Sequence, residues 1–179
     1  MREQGVRRRA LKAAFPNTLP ILAGFGFLGM AHGILMTQAG LGVFYSLAMA
    51  IIVFGGSLEY VAMELLLASF APATAFFTAL LVQARHLFYG IAMLDRYKGM
   101  GWKRFYLIFG MCDESFSINY TAKIPDDVDR GWFMFFVTLL DQCYWVTANL
   151  IGGLLGGLIT FDVEGLDFVM TAMFVVIFL

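Results

Sequence analysis

Apolar side chains in this chain arrive in blocks of about 20 residues, the length a helix needs to cross a hydrocarbon layer about 30 Å thick. Of the 179 residues, 60% are hydrophobic and 14% charged; soluble domains carry about 45–50% and about 25%. A soluble core of this size has no use for such runs. They predict an all-α integral membrane protein of about five to six transmembrane segments, forming one domain over 1–179. The basic residues sit beside the blocks rather than in a stripe of their own, which argues against nucleic acid as a partner.

The first helix is expected from Thr18 to Thr37, after a basic segment, 1–14. It is too long for a signal peptide and lacks a small-residue cleavage site. A second block, Val43 to Phe70, is interrupted by Gly55, Gly56 and Ser57 and carries Glu59 and Glu64. The third runs from Pro72 to Leu94, the fourth from Phe105 to Tyr120 and the fifth from Trp132 to Ile159. An acidic turn with Asp162, Glu164 and Asp167 precedes a last block from Phe168. That block is still apolar at Leu179, so the expectation is a natural chain that continues further.

Block two is too long for a plain span, since about 28 residues at about 1.5 Å each make a rod of about 42 Å. A break at the glycines resolves this, because Gly lifts the Cβ restriction. Broken backbone at membrane depth is tolerated only where protein or a polar cavity surrounds it, and transporters aim such helix ends at their cargo. Basic residues point the same way. Of 12 Lys and Arg, five precede the first helix (Arg2, Arg7, Arg8, Arg9, Lys12) and four lie at 95–104 (Arg96, Lys98, Lys103, Arg104). Both regions should face the cytoplasm, which requires an even number of crossings between them. Three blocks intervene. A re-entrant block two restores the parity; the alternative is six ordinary crossings with one loop breaking the charge rule.

Five acids fall inside the apolar blocks: Glu59, Glu64, Asp113, Glu114 and Asp141. Arg85 is the lone cation there, with His32 and His86 as titratable neighbours. A charge at the bilayer centre costs about 2.5–3.5 kcal/mol or more, and one Arg cannot pair five acids. Some should therefore be protonated, face water or bind a cationic group. Glu59 follows the break directly and could cap a helix start. Glu64 lies about 140° round the helix from it, so the two cannot share a face. Asp113 and Glu114 are adjacent, with Ser117 within one turn, and two such carboxylates resist joint ionisation; that suits a proton carrier. Arg85 and His86 read either as interfacial anchors or as site residues, and His32 as a hydrogen-bonded packing residue.

Two helices carry small-residue stripes. Asp141, Trp145, Asn149, Gly152 and Gly156 fall within about 80° on a helical wheel, as do Gly26, Gly29, Gly33 and Thr37. Small residues let membrane helices approach closely, so both stripes should face the protein interior. Cys112 and Cys143 lack metal-ligand spacing and read as apolar packing residues. No metal, other cofactor or catalytic constellation is implied.

At these residues the chain resembles the AzlC family, the large subunit of two-component branched-chain amino acid exporters. The stretches that carry the likeness are GGSLEYVAMELL at 55–66, QARHLFYGIAML at 83–94, LIFGMCDESFSI at 107–118, LLDQCYWVTANLIGG at 139–153 and GLDFVMTAMFVVIF at 165–178. Glu59 stands where the commoner pattern has Gln, and Gln83 where it has Asn. The resemblance implies export of hydrophobic amino acids, driven by protons, with a small AzlD-type membrane subunit, in the cell (cytoplasmic) membrane with the N-terminus inside; homo-oligomers are compatible with it.

A zwitterion needs an anion for its ammonium and a cation or helix N-terminus for its carboxylate. Gly55, Gly56, Ser57, Glu59, Trp145 and Asn149 are accordingly the expected substrate residues. Glu59, Asp113, Glu114 and Asp141 are the expected proton carriers, and Arg85 and His86 hold the substrate carboxylate or the structure. Two other readings stand beside this one. A scaffold subunit would not need five intramembrane acids. An intramembrane metal enzyme would usually show H-E-x-x-H, and here the two histidines lie far apart in sequence.

Overall fold

The computed structural model describes residues 2–69 and 71–158, with Phe168, Ala172 and Val175. The acidic turn at 162–167 and the rest of the last block lie outside the described residues. Among those described, all regular structure is helical: α1 (Arg2–Gln38), α2 (Gly42–Ile52), α3 (Ser57–Leu67), α4 (Pro72–Val82), α5 (Arg85–Met93), α6 (Lys103–Phe109), α7 (Asp113–Thr121) and α8 (Arg130–Gly156). Two of them, α1 and α8, are long and apolar enough to cross a membrane, or three spans result if α4 and α5 count as one bent crossing. The other apolar blocks are short helices divided by breaks. Large apolar side chains cover the outside; Phe44 and Phe105 are each 78% exposed, a surface suited to lipid rather than water.

The basic N-terminal segment is helical rather than a separate tail, so α1 starts well before Thr18. It carries Pro16 and Pro20 inside the helix, each lacking the N–H that an interior position donates. The side chains of Asn17 and Thr18 bond the carbonyls of Ala13 (2.8 Å) and Phe15 (3.0 Å) in the same stretch, the kind of local bonding that lets membrane helices carry proline.

The helices form two compact units. One comprises α1 up to Ala23, then α5, α6, α7 and α8 up to Cys143. Met93, Leu107, Phe133, Met134 and Val137 make its core. At one end of this unit Arg7 and Lys103 both lie over the Trp132 ring, at 4.4 and 4.6 Å, and Arg9 reaches Asp127 at 4.0 Å. The start of α6 and the segment after α7 therefore share an end. With 7 and 9 residues, α6 and α7 are each too short to cross about 30 Å. The fourth block, expected as one rod from Phe105 to Tyr120, leaves that end and returns to it, with its break at Gly110–Cys112. The cause is local. Cys112 caps α7 by accepting from the Ser115 amide (3.5 Å), while the Ser115 hydroxyl accepts from the Cys112 amide (2.9 Å), a reciprocal capping box.

The other unit comprises α1 from Gly24, then α2, α3, α4 and α8 from Tyr144. Here α1 and α8 meet through glycine. A Cβ on Gly152 would collide with the Met30 main chain, one on Gly33 with the main chain at Asn149, Gly152 and Gly153, and one on Gly29 would lie 2.8 Å from the Ala148 side chain. Thr37 donates to the Gly153 carbonyl at 3.0 Å. Gly26, expected in the same stripe, faces open space. The expected break after α2 is present, and it is strained: Phe54 takes φ +43° and Gly56 φ +48°, a region bulky side chains avoid. Beyond it α3 and α4 pack together, and Gln83 returns to the break, donating to the Gly55 carbonyl at 3.4 Å. The third block, expected unbroken from Pro72 to Leu94, stops at Val82 and resumes at Arg85.

Candidate functional site

Within the unit built on α2, α3 and α4, polar side chains converge beneath the Gly55 break. Glu59 is the third residue of α3 and has no solvent exposure. Its Oε1 accepts from the Gly55 amide at 3.1 Å and from the Trp145 indole at 2.9 Å. Its Oε2 has no partner among the described residues. Glu59 thus ties the two sides of the break and keeps one oxygen uncommitted. Glu64 lies exposed on the other side of α3, as the 3.6-residue period requires.

A second cluster lies beside it. Asn149 donates to the Trp145 carbonyl at 2.9 Å, and its Oδ1 accepts from the Ser46 hydroxyl at 3.0 Å and faces His32 Nδ1 at 2.6 Å. Since that oxygen only accepts, the hydrogen between them belongs to His32 Nδ1, which leaves Nε2 without a partner among the described residues. The His32 ring stacks on Trp145 and meets Tyr60 edge-on. Tyr60 in turn donates to the Leu28 carbonyl at 2.7 Å. Phe25 closes the other side of Trp145, with ring centroids 5.2 Å apart. The arrangement is an apolar, aromatic-walled cluster with one carboxylate oxygen and one imidazole nitrogen unbonded among the described residues. It can take an ammonium group or a proton.

The expected substrate residues Gly55, Gly56, Ser57, Glu59, Trp145 and Asn149 all fall in this unit. Arg85, His86, Asp113, Glu114 and Asp141 fall in the other. There Arg85 pairs with Asp113 at 2.6 Å, so Asp113 has a cation as neighbour and not only Glu114. His86 packs its ring against Tyr89. Asp141 has no solvent exposure, and neither of its oxygens has a partner among the described residues. Ser117 is exposed, and the buried serine of α7 is Ser115. Cys112 is buried and Cys143 exposed, so only the first packs inside the protein.

Sequence reasoning passed over Ser46, Tyr60 and Gln83 as site residues and gave His32 only a packing role. Gln83 carried a signal, being a departure from the commoner pattern. Ser46 and Tyr60 carried none, because a small polar or aromatic residue in an apolar block is ordinary.

The family model described as AzlC protein matches residues 20–159. The chain belongs to the AzlC family. A relative from Bacillus subtilis, named branched-chain amino acid transport protein AzlC, is 59% identical over 170 residues, covering 95% of this chain and 67% of its own length. Uncharacterized membrane proteins of Haemophilus influenzae and Helicobacter pylori are 47% and 36% identical, covering 94% and 96% of this chain and 70% and 75% of their own. No solved structure matches. The AzlC match spans the helix breaks at Gly55, at 83–84 and at 110–112 and all of the residues just described, from Phe25 to Asn149.

Proposed function

We propose that this AzlC-family chain is the large subunit of a secondary transporter that exports branched-chain and similar hydrophobic amino acids through the cytoplasmic membrane. One observation carries the reading: Glu59 is sealed from solvent at a broken helix with one carboxylate oxygen uncommitted. An anion placed so deep is costly unless a partner arrives. The ammonium of an amino acid is such a partner. The N-terminal end of α3 lies in the same break and attracts a carboxylate, so a zwitterion finds both its charges answered within Gly55–Glu59. Trp145, Phe25 and Tyr60 supply apolar walls for its side chain. Asn149 acts one step back, by holding His32 and Ser46. The name of the Bacillus subtilis relative supports the substrate class.

Coupling to protons is assigned to the buried acids Glu59, Asp113, Glu114 and Asp141. Arg85 is held by Asp113, and with His86 it serves the substrate carboxylate or the local structure. The basic residues gathered with Trp132 at one end support a cytoplasmic N-terminus, and the family likeness supports a small AzlD-type membrane subunit. A scaffold role would leave the uncommitted oxygen of Glu59 unexplained. The test is reconstitution into liposomes loaded with labelled leucine, with and without the small subunit. Efflux that requires the chain and fails in Glu59→Ala is expected; leucine retained as in empty liposomes would overturn the transporter reading.

A further inference from the structure

The helix breaks at Gly55 and Gly110 have the same sequence skeleton. Phe54-Gly55 is followed by Glu59, and Phe109-Gly110 is followed by Glu114, each Glu five residues after its Phe. Phe109 ends α6 and Phe54 lies two residues past the end of α2, and both glutamates lie in the first turn of the next helix. The tertiary surroundings repeat as well. Gly55 is approached by Gln83, and Gly110 by Thr138, each a side chain 28 residues further on. Glu59 accepts from Trp145, and Glu114 lies within electrostatic range of Asp141, so α8 serves each break within its own unit.

The second break also holds buried polar groups left unbonded among the described residues. Thr138 is fully buried against Gly110, and its hydroxyl has no partner among the described residues. One turn along α8, Asp141 is fully buried and neither of its oxygens is bonded among them. Asp141 is within electrostatic range of Glu114 and of the Cys112 thiol. Asp113 and Arg85, which pair with one another, lie on the Glu114 side, and Cys143 and Tyr106, which donates to Gln142 at 2.6 Å, lie on the Asp141 side. Two carboxyl groups and a hydroxyl thus lie at one break, and the one cation placed in range of Glu114, Arg85, is already paired with Asp113. Oxygen-only donors of this kind suit a small hard cation.

We propose that the chain is an internal repeat of one broken-helix unit, and that the second break, with Glu114, Asp141 and Thr138, binds the small monovalent cation that drives transport. The first break keeps the substrate ammonium. This rests on the transporter reading above and divides its acids between two sites. The cation is a proton or an alkali ion, which the test separates.

In liposomes holding the full chain, labelled leucine movement is compared under a pH gradient, under a Na+ gradient and in exchange without any gradient. Glu114→Gln and Asp141→Asn are expected to lower the ratio of gradient-driven movement to exchange by about tenfold, a usual coupling magnitude. Glu59→Gln is expected to lower both together. Loss of the pH response marks a proton, and loss of the Na+ response an alkali ion. A ratio unchanged from the original chain in both variants overturns the proposal, whereas an original chain that moves no leucine overturns the transporter reading instead. A second measurement stands apart from transport: labelling of buried carboxyl groups in the purified chain by a hydrophobic carbodiimide, read by peptide mass spectrometry. Labelling at Asp141 or Glu114 that falls with rising pH or added Na+ is expected. Labelling indifferent to both overturns the cation site whether or not leucine moves.

Discussion

Trp145 donates its indole N–H to Glu59 Oε1 at 2.9 Å, joining α8 to the first turn of α3 across 86 positions of sequence. The bond fixes which carboxylate oxygen is engaged. It also explains why a residue as large as Trp sits on the small-residue face of α8.

Trp145→Phe keeps the ring and removes the donor. A hydrogen bond to a charged group contributes about 1.5–3 kcal/mol, so leucine affinity should fall about tenfold or more while the protein remains folded. Equilibrium binding of labelled leucine checks this, with Trp145→Ala as the variant that loses the apolar wall as well. An affinity in Trp145→Phe equal to that of the original chain would contradict the assignment.

Asn149→Ala strands two buried groups at once, the Ser46 hydroxyl and His32 Nδ1. Unsatisfied buried groups cost about 1–3 kcal/mol each. A clear fall in thermal stability in detergent is expected, and Asn149→Gln should recover little of it because the longer side chain shifts the amide. The midpoint of unfolding, followed by Trp fluorescence, measures both.

Gly152→Ala and Gly26→Ala should part company. The first places a methyl group on the Met30 main chain and the second meets open space. Overpacking costs about 1–3 kcal/mol, so Gly152→Ala should lose yield and stability and Gly26→Ala should not. Size-exclusion profiles of the two variants decide it.

Arg85 and Asp113 should behave as a pair. Their side chains are 25% and 35% exposed, so solvent screens part of the attraction and a coupling of about 1 kcal/mol is expected. In a double-mutant cycle, Arg85→Ala with Asp113→Ala should be closer to the original stability than the sum of the single changes. Strict additivity would mean the ion pair contributes nothing.

How far the sequence carried the fold depended on the kind of signal each position gave. The Gly55 break was legible twice over, from the glycines and from a block too long for one span. The breaks at 83–84 and 110–112 were not, because their blocks had the right length for a crossing and Gly110 is a lone glycine. What starts α7 is local capping between Cys112 and Ser115, a signal weak in sequence because Cys is not a usual cap, and what meets Gly110 is Thr138, whose approach depends on tertiary placement. The opposite faces of Glu59 and Glu64 followed from helical period alone. The link from His32 to Asn149 could not, since the two are 117 positions apart and a histidine in an apolar block names no partner. The repeat of Phe-Gly and Glu escaped for a related reason. Three matching residues in six are too few to notice until both are seen at helix ends.

The contact of Gly33 and Gly152 between α1 and α8 is main chain against main chain, with no rotamers on either side to rearrange. Such a seam has a single fitted position and cannot slide by small degrees. Under the proposed function, substitutions among the rings around Glu59 change which side chains are admitted while this joint holds its register. Specificity and rigidity would in that sense be kept by different atoms, the first by rings and carboxylates, the second by the bare backbone.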